Sequence, residues 1–201
     1  MKPVKIFAEY LDGKASAQFY DAMKQEFVIR GALMPDAHAG YSLPIGAAVA
    51  TDGVIVPSWV GYDIGCGMCA TKLNITRTDI EENRTNIFDM IYKMIPVGFS
   101  INSDSSVYHK PDRGTRLDLA DLTDNGRKIA EEKNWFNALG SLGGGNHFIE
   151  IGYDSTDAVW IVIHSGSRGV GHGLATHYMK AASPSGRATE GHFGFNVTSQ
   201  N

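Results

Sequence analysis

With 201 residues, of which 43% are hydrophobic and 20% charged, the chain has ordinary globular composition and length enough for one sizeable core. Its net charge of −4 excludes a global basic field of the kind that draws proteins to nucleic acid, so any RNA contact needs a local basic patch. Two cysteines, Cys66 and Cys69, exclude a disulfide framework, and no apolar run reaches the length of a signal peptide or a membrane span; the expected place is the cytoplasm, with no membrane partner.

In chain order, Val4 to Ala8 reads as a short strand. Lys14 to Phe27 carries apolar residues at Ala15, Phe19, Ala22, Met23 and Phe27, the spacing of an amphipathic helix. A β-like region follows: Val28 to Met34, Ile45 to Ala50, Val54 to Val60 and Met68 to Ile75, short segments punctuated by Gly and Pro. Thr78 to Met94 predicts a helix, with Asp79, Glu81 and Glu82 in its first turns, where the helix dipole favours them. Its apolar face is Ile80, Ile87, Met90, Ile91 and Met94, and Pro96 stops it. After a polar stretch, Arg116 to Ala138 reads as helix, Asn146 to Gly152 and Ala158 to His164 as strands, and Val170 to Ala182 as helix. Ser183 to Asn201 is rich in Ser, Gly and Thr. With no repeat or low-complexity tract, residues 1–201 form one expected domain of α+β class, a mixed sheet-based core with flanking helices.

Four segments stand out, each a small or glycine-rich turn presenting a polar residue at a strand end. They are Met34-Pro35-Asp36-Ala37-His38-Ala39-Gly40, Gly61-Tyr62-Asp63-Ile64-Gly65-Cys66-Gly67-Met68, Leu142-Gly143-Gly144-Gly145-Asn146-His147-Phe148-Ile149-Glu150 and Ile163-His164-Ser165-Gly166-Ser167-Arg168-Gly169. A carboxylate (Asp63), a thiolate (Cys66) and two imidazoles (His147, His164) suit a borderline divalent ion such as Mn, Zn, Co or Fe, and are unusual for Mg or Ca. Each residue alone has a plainer reading. Cys66 alone is a buried cysteine in a glycine-rich turn, and a lone histidine at a strand end is more often a satisfied core residue. Two histidines at neighbouring strand ends, each beside a glycine-rich turn, shift the balance toward a site. Cys66-x-x-Cys69 as a zinc pair ranks low, because no second pair exists.

The hydroxyls of Ser165 and Ser167 and the Arg168 guanidinium suit a phosphate, or a capped helix start, or both. Asp36 and His38 fall in a Pro-initiated turn that a plain Asx turn explains. Lys110, Arg113 and Arg116 form a small basic cluster, a solvated loop or an RNA-backbone contact.

Taken together, the four segments resemble the RtcB family, the RNA-splicing ligases that join RNA 3′-phosphate or 2′,3′-cyclic phosphate ends to 5′-hydroxyl ends. The resemblance runs from about Val4 to about Ala182, in the family's order and near its spacing. It implies the family's β-sandwich-like fold, two Mn²⁺ ions, GTP, and a covalent guanylylated histidine intermediate. Asp63, His147 and His164 then match metal ligands, and Cys66 matches the thiolate that bridges both ions. Asn146 and Glu150 match residues near the guanosine nucleotide; Asp36 and Arg168 match residues on which activity depends.

The sequence departs from the family in one respect: family members are about twice as long, against a usual domain of ~100–200 residues. The family's third metal histidine and its guanylylated histidine belong to the half not matched here. His109, His172, His177 and His192 read as surface or loop residues. The expectation is a fragment, or a split or truncated member, with the second Mn²⁺ lacking one ligand and ligation requiring a separate C-terminal half. Two other readings stay open: a metal-binding remnant or partner subunit without ligase activity, and a metal-dependent phosphohydrolase.

Overall fold

The computed structural model describes residues 2–62, 64–104, 119 and 122–198. They form two compact units: one takes the described residues up to Tyr62 and from Ala175 onward, the other those between.

The first unit opens with β1 (Val4–Ile6), which pairs in parallel with β2 (Val28–His38) across the intervening helix α1 (Gly13–Met23). Asp12 caps α1 by accepting from Ala15 N at 2.8 Å, satisfying one of the helix's orphan amides. Ala15, Phe19, Ala22 and Met23 face inward, as their spacing predicts. Phe19 and Leu33 are fully buried and form the unit's core with Met23, Val28 and Ala37. β3 (Ile45–Thr51) runs antiparallel on the far side of β2.

The Asp36–His38 segment is not the expected turn. β2 continues through it, with a register shift between Leu33 and His38. Pro35 lies within that shift and has no N–H for the ladder, which is where a strand proline is tolerated. Val54–Val60 is also not one strand. β4 covers only Val54–Ile55, and Pro57 then starts the single helical turn α2 (Pro57–Val60) from its first position.

The second unit contains β5 (Gly67–Lys72), α3 (Arg77–Met94), α4 (Asp124–Glu132), α5 (Trp135–Ala138), β6 (Phe148–Tyr153) and β7 (Val159–Ser165). Its sheet is antiparallel in the order β5-β7-β6. Thr76 and Asp79 form a reciprocal capping box at the start of α3. Ile80, Ile87 and Ile91 line a cavity of about 340 Å³ with Ile149 and Ile151 of β6, while Met90 and Met94, predicted for that face, are more than 60% exposed. The expected Arg116–Ala138 helix is two pieces in its described part. Asn134, at φ 51°, breaks the i→i+4 run between α4 and α5. Lys110, Arg113, Arg116 and His109 lie outside the described residues.

α6 (Val170–Ala182) begins in the second unit and ends in the first, with Ala175, Met179 and Ser183 buried at four-residue spacing. β8 (Phe195–Asn196) pairs with β4. His192 lies in a loop, within the surface-or-loop expectation, and is packed there: its Nδ1 accepts from Trp59 Nε1 at 3.1 Å and its Nε2 sits 3.0 Å from Asp21 Oδ2. The described chain is thus mixed α and β with short sheets, the α+β class expected.

The β6–β7 hairpin turns on Asp154. Its Oδ1 accepts from Thr156 Oγ1, Thr156 N and Ala158 N at 2.6, 2.8 and 3.1 Å, and its Oδ2 accepts from Trp160 Nε1 at 2.9 Å. These donors, the Thr156 hydroxyl foremost, hold its carboxyl well below the usual carboxylate range. A depressed folded-state pKa adds stability above the unfolded value of about 3.9, lost as pH falls from there through the folded value. The urea midpoint of the wild-type chain should therefore exceed that of Asp154→Asn at neutral pH, with the gap narrowing below about pH 4. A gap independent of pH would show that the carboxylate does not hold the turn.

Candidate metal centre

His164 lies one residue from the end of the central strand β7, opposite Met68 of β5 on one side and Phe148 of β6 on the other. Cys66 directly precedes β5 and His147 directly precedes β6. The sheet register therefore delivers all three to the same end of one sheet. One ligand atom from each of Cys66, His147 and His164 lies within 4.8 Å of the others. The two imidazole centroids are 5.4 Å apart, and Phe148 meets the edge of His164 at 5.7 Å.

The orientation of His147 follows from its partner. Its Nδ1 lies 3.0 Å from the Leu142 carbonyl, which can only accept, so Nδ1 carries the proton. Nε2 then keeps its lone pair and faces Cys66 Sγ at 3.4 Å. Metal–sulfur and metal–nitrogen bonds of about 2.3 and 2.05 Å at a tetrahedral angle would separate the two atoms by about 3.6 Å. The spacing thus fits a shared borderline ion, and the set of one thiol and two imidazoles suits Fe, Co or Zn over Mg or Ca. Cys66 is exposed and the two histidines are half-buried, so an ion can enter from solvent.

The remaining sequence candidates divide. Asp63 lies outside the described residues. Cys69 faces Ile163 on β5 with its Sγ 3.7 Å from Thr71 Oγ1, apart from the cluster. Asn146 is exposed and adjoins His147. Glu150, exposed on β6, stands opposite Val162, so it projects from the face of the sheet that carries His164. Asp36 belongs to the first unit, where it is exposed and its Oδ1 lies against Gly46, within 3.1 Å of an added Cβ there.

Ser167 caps α6, accepting from Gly171 N at 2.7 Å, whereas Ser165, within β7, donates to the Leu142 carbonyl at 2.8 Å. Arg168 takes φ +54° and turns inward: Nε donates to Ser141 Oγ at 2.9 Å and Nη2 to the Gly98 carbonyl at 2.6 Å. Ser141, Ser165, Ser167 and Arg168 line a cavity of about 360 Å³. Sequence reading missed the Leu142 carbonyl and the roles of Ser141 and Gly98. No side-chain pattern marks a backbone acceptor, and only the glycine run beside Leu142 signalled a shaped loop.

Comparison with known proteins gives a consistent picture. A family model described as tRNA-splicing ligase RtcB matches residues 18–192. The RNA-splicing ligase RtcB of Escherichia coli K12 is 34% identical over 192 residues, covering 90% of this chain and 47% of that protein. The tRNA-splicing ligase RtcB of Methanococcus maripaludis is 32% identical, covering 73% of this chain and 39% of the relative. That of Thermococcus kodakarensis is 30% identical, covering 74% and 39%. The chain spans about half the length, or less, of these curated relatives.

Proposed function

Because the chain belongs to the RtcB family, we propose that it is the metal-binding portion of a GTP- and Mn²⁺-dependent RNA ligase. The reaction would join RNA 3′-phosphate or 2′,3′-cyclic phosphate ends to 5′-hydroxyl ends through a guanylylated histidine, in tRNA splicing or RNA repair. The convergence of Cys66, His147 and His164 supports this reading most directly.

On this reading Cys66, His147 and His164 hold Mn²⁺, with Asp63 as a further ligand. Bound Mn²⁺ supplies positive charge that neutralises phosphate oxygens during displacement at phosphorus. The Leu142 carbonyl keeps His147 in the tautomer that offers Nε2. Asn146 and Glu150 bind the guanosine nucleotide, the Glu150 carboxylate as an acceptor for N–H donors and the Asn146 amide as donor and acceptor. Asp36 and Arg168 are residues on which activity depends. The guanylylated histidine and one remaining metal ligand come from the other half found in the longer relatives, so the chain by itself does not join RNA. No described helix is long and apolar enough to cross a membrane, and a cytoplasmic place, with access to GTP and RNA ends, is part of the proposal.

Mass spectrometry after incubation with GTP and Mn²⁺ tests this, with and without a separately expressed C-terminal half of a family member. The expected result is a GMP adduct of the added half, in the complemented sample alone. An adduct or RNA joining by the chain by itself would refute the assignment of the nucleophile to the other half. Mn²⁺ binding with no adduct under complementation would favour a metal-binding remnant or partner subunit. Slow phosphate release from RNA ends, lost in Cys66→Ala, would favour a phosphohydrolase.

A further inference from the structure

We infer that Ser165 and Arg168 are positioning residues for His147, holding the loop behind it so that Nε2 of the imidazole faces Cys66. The inference deepens the metal-centre reading and rests on it for its consequence in metal binding.

The Leu142 carbonyl has two lone pairs, and both are used: one accepts from His147 Nδ1 at 3.0 Å, the other from Ser165 Oγ at 2.8 Å. Ser165 thereby fixes the direction of the acceptor that fixes the imidazole. The loop carrying that carbonyl is strapped to a second segment. Leu142 N donates to the Pro96 carbonyl at 2.9 Å, Gly98 N donates to the Gly143 carbonyl at 2.7 Å, and Val97 and Gly143 form an isolated parallel bridge.

Arg168 joins both segments from the β7–α6 turn. Its Nε holds Ser141, immediately before the loop, and its Nη2 holds the Gly98 carbonyl. A guanidinium spans two acceptors in one plane; a lysine ammonium, a point charge on a flexible stem, does not. Arg168 does this from φ +54°, a conformation that side-chain-bearing residues rarely hold without such support. The arrangement resembles the outer-shell contacts that orient metal-binding histidines elsewhere, with the second contact passed through a backbone carbonyl. The Arg168 guanidinium, a candidate for phosphate binding by its chemistry, here also holds the protein's own loop.

The test reads the imidazole directly. Long-range ¹H–¹⁵N spectra of the metal-free 201-residue chain report the His147 tautomer, its signals assigned by their loss in His147→Gln. The wild-type chain and Ser165→Thr, which keeps the hydroxyl, should show the Nδ1–H tautomer. Ser165→Ala and Arg168→Lys should show a mixture of tautomers while circular dichroism stays wild-type. Titration with Co²⁺, followed by the thiolate charge-transfer band, should show affinity about 10–100-fold weaker in those two variants and near wild-type in Ser165→Thr. Wild-type tautomer and affinity in Ser165→Ala and Arg168→Lys would overturn the inference. If the wild-type chain holds the Nδ1–H tautomer yet binds no Co²⁺, the metal reading fails, and the tautomer comparison alone decides the positioning roles.

Discussion

Cys66→Ala should lower the affinity of the chain for Mn²⁺ or Co²⁺ by more than about 100-fold and leave its fold unchanged. Contacts that only orient a ligand typically contribute about 10–100-fold to metal affinity, so removing a ligand outright should exceed that range. Cys66 is the single thiol in the cluster, and its Sγ is the atom that His147 Nε2 faces at 3.4 Å. The side chain is exposed, so its loss opens no cavity, and the expected change in stability is within about 0.5 kcal/mol. Co²⁺ titration distinguishes the effects: the thiolate-to-cobalt band should vanish while the thermal transition stays in place. Cys69→Ala is the control, since Cys69 lies apart from the cluster, and it should bind as wild type does. Undiminished binding by Cys66→Ala would remove the metal centre from this end of the sheet.

Gly143→Ala should cost both stability and metal binding. Gly143 is buried and has φ +98°, a backbone region that a residue with a Cβ enters only under strain. Such strain costs on the order of 1–3 kcal/mol. Space is also lacking: the added Cβ would collide with the Arg168 guanidinium and with Nδ1 of His147. Either the loop moves, which breaks the Leu142–His147 hydrogen bond, or the two side chains move, which breaks the Arg168 clamp. A urea titration should show the lower midpoint, and Co²⁺ affinity should fall in the fraction that remains folded. Gly145→Ala is the comparison: Gly145 also has positive φ, but nothing lies within 4 Å of its added Cβ. It should strain the backbone without disturbing His147. Equal losses of metal affinity in the two variants would show that the collision with His147 and Arg168 is not what matters.

Much of this was legible in the residues themselves, because local structure is written in short periods. The stripe Ala15, Phe19, Ala22 and Met23 is the buried face of α1, since 3.6 residues per turn brings those positions to one side. Asp79 marks the first turn of α3 as an acidic residue at the positive end of the helix dipole, which needs only the local sequence. The Leu142–Glu150 and Ile163–Gly169 segments could be recognised by residue type, and the match to the RtcB family over residues 18–192 agrees with that recognition.

The misreadings share a cause. The structural roles of Pro35 and Pro57 depend on what lies beside them. A proline within a strand irregularity and one at the first position of a helix look alike until the neighbouring hydrogen bonds are known. Asn134 splits an apparent helix by a single left-handed residue, which no apolar periodicity reports.

By itself, then, the sequence determined which chemical groups are present, which short elements they flank and which family the chain belongs to. Only the tertiary structure decided which of those groups meet. Cys66 and His147 are 81 residues apart and come together because β5 and β6 both pair with β7 in one particular register. A slip of one residue in either pairing would turn side chains to the opposite face and separate the set. Likewise the inward turn of Arg168 depends on Ser141 and the Gly98 carbonyl, 27 and 70 residues away. Hydrogen-bond partners at such separations are set by how the sheet and its loops pack, and no local pattern of residue types encodes them.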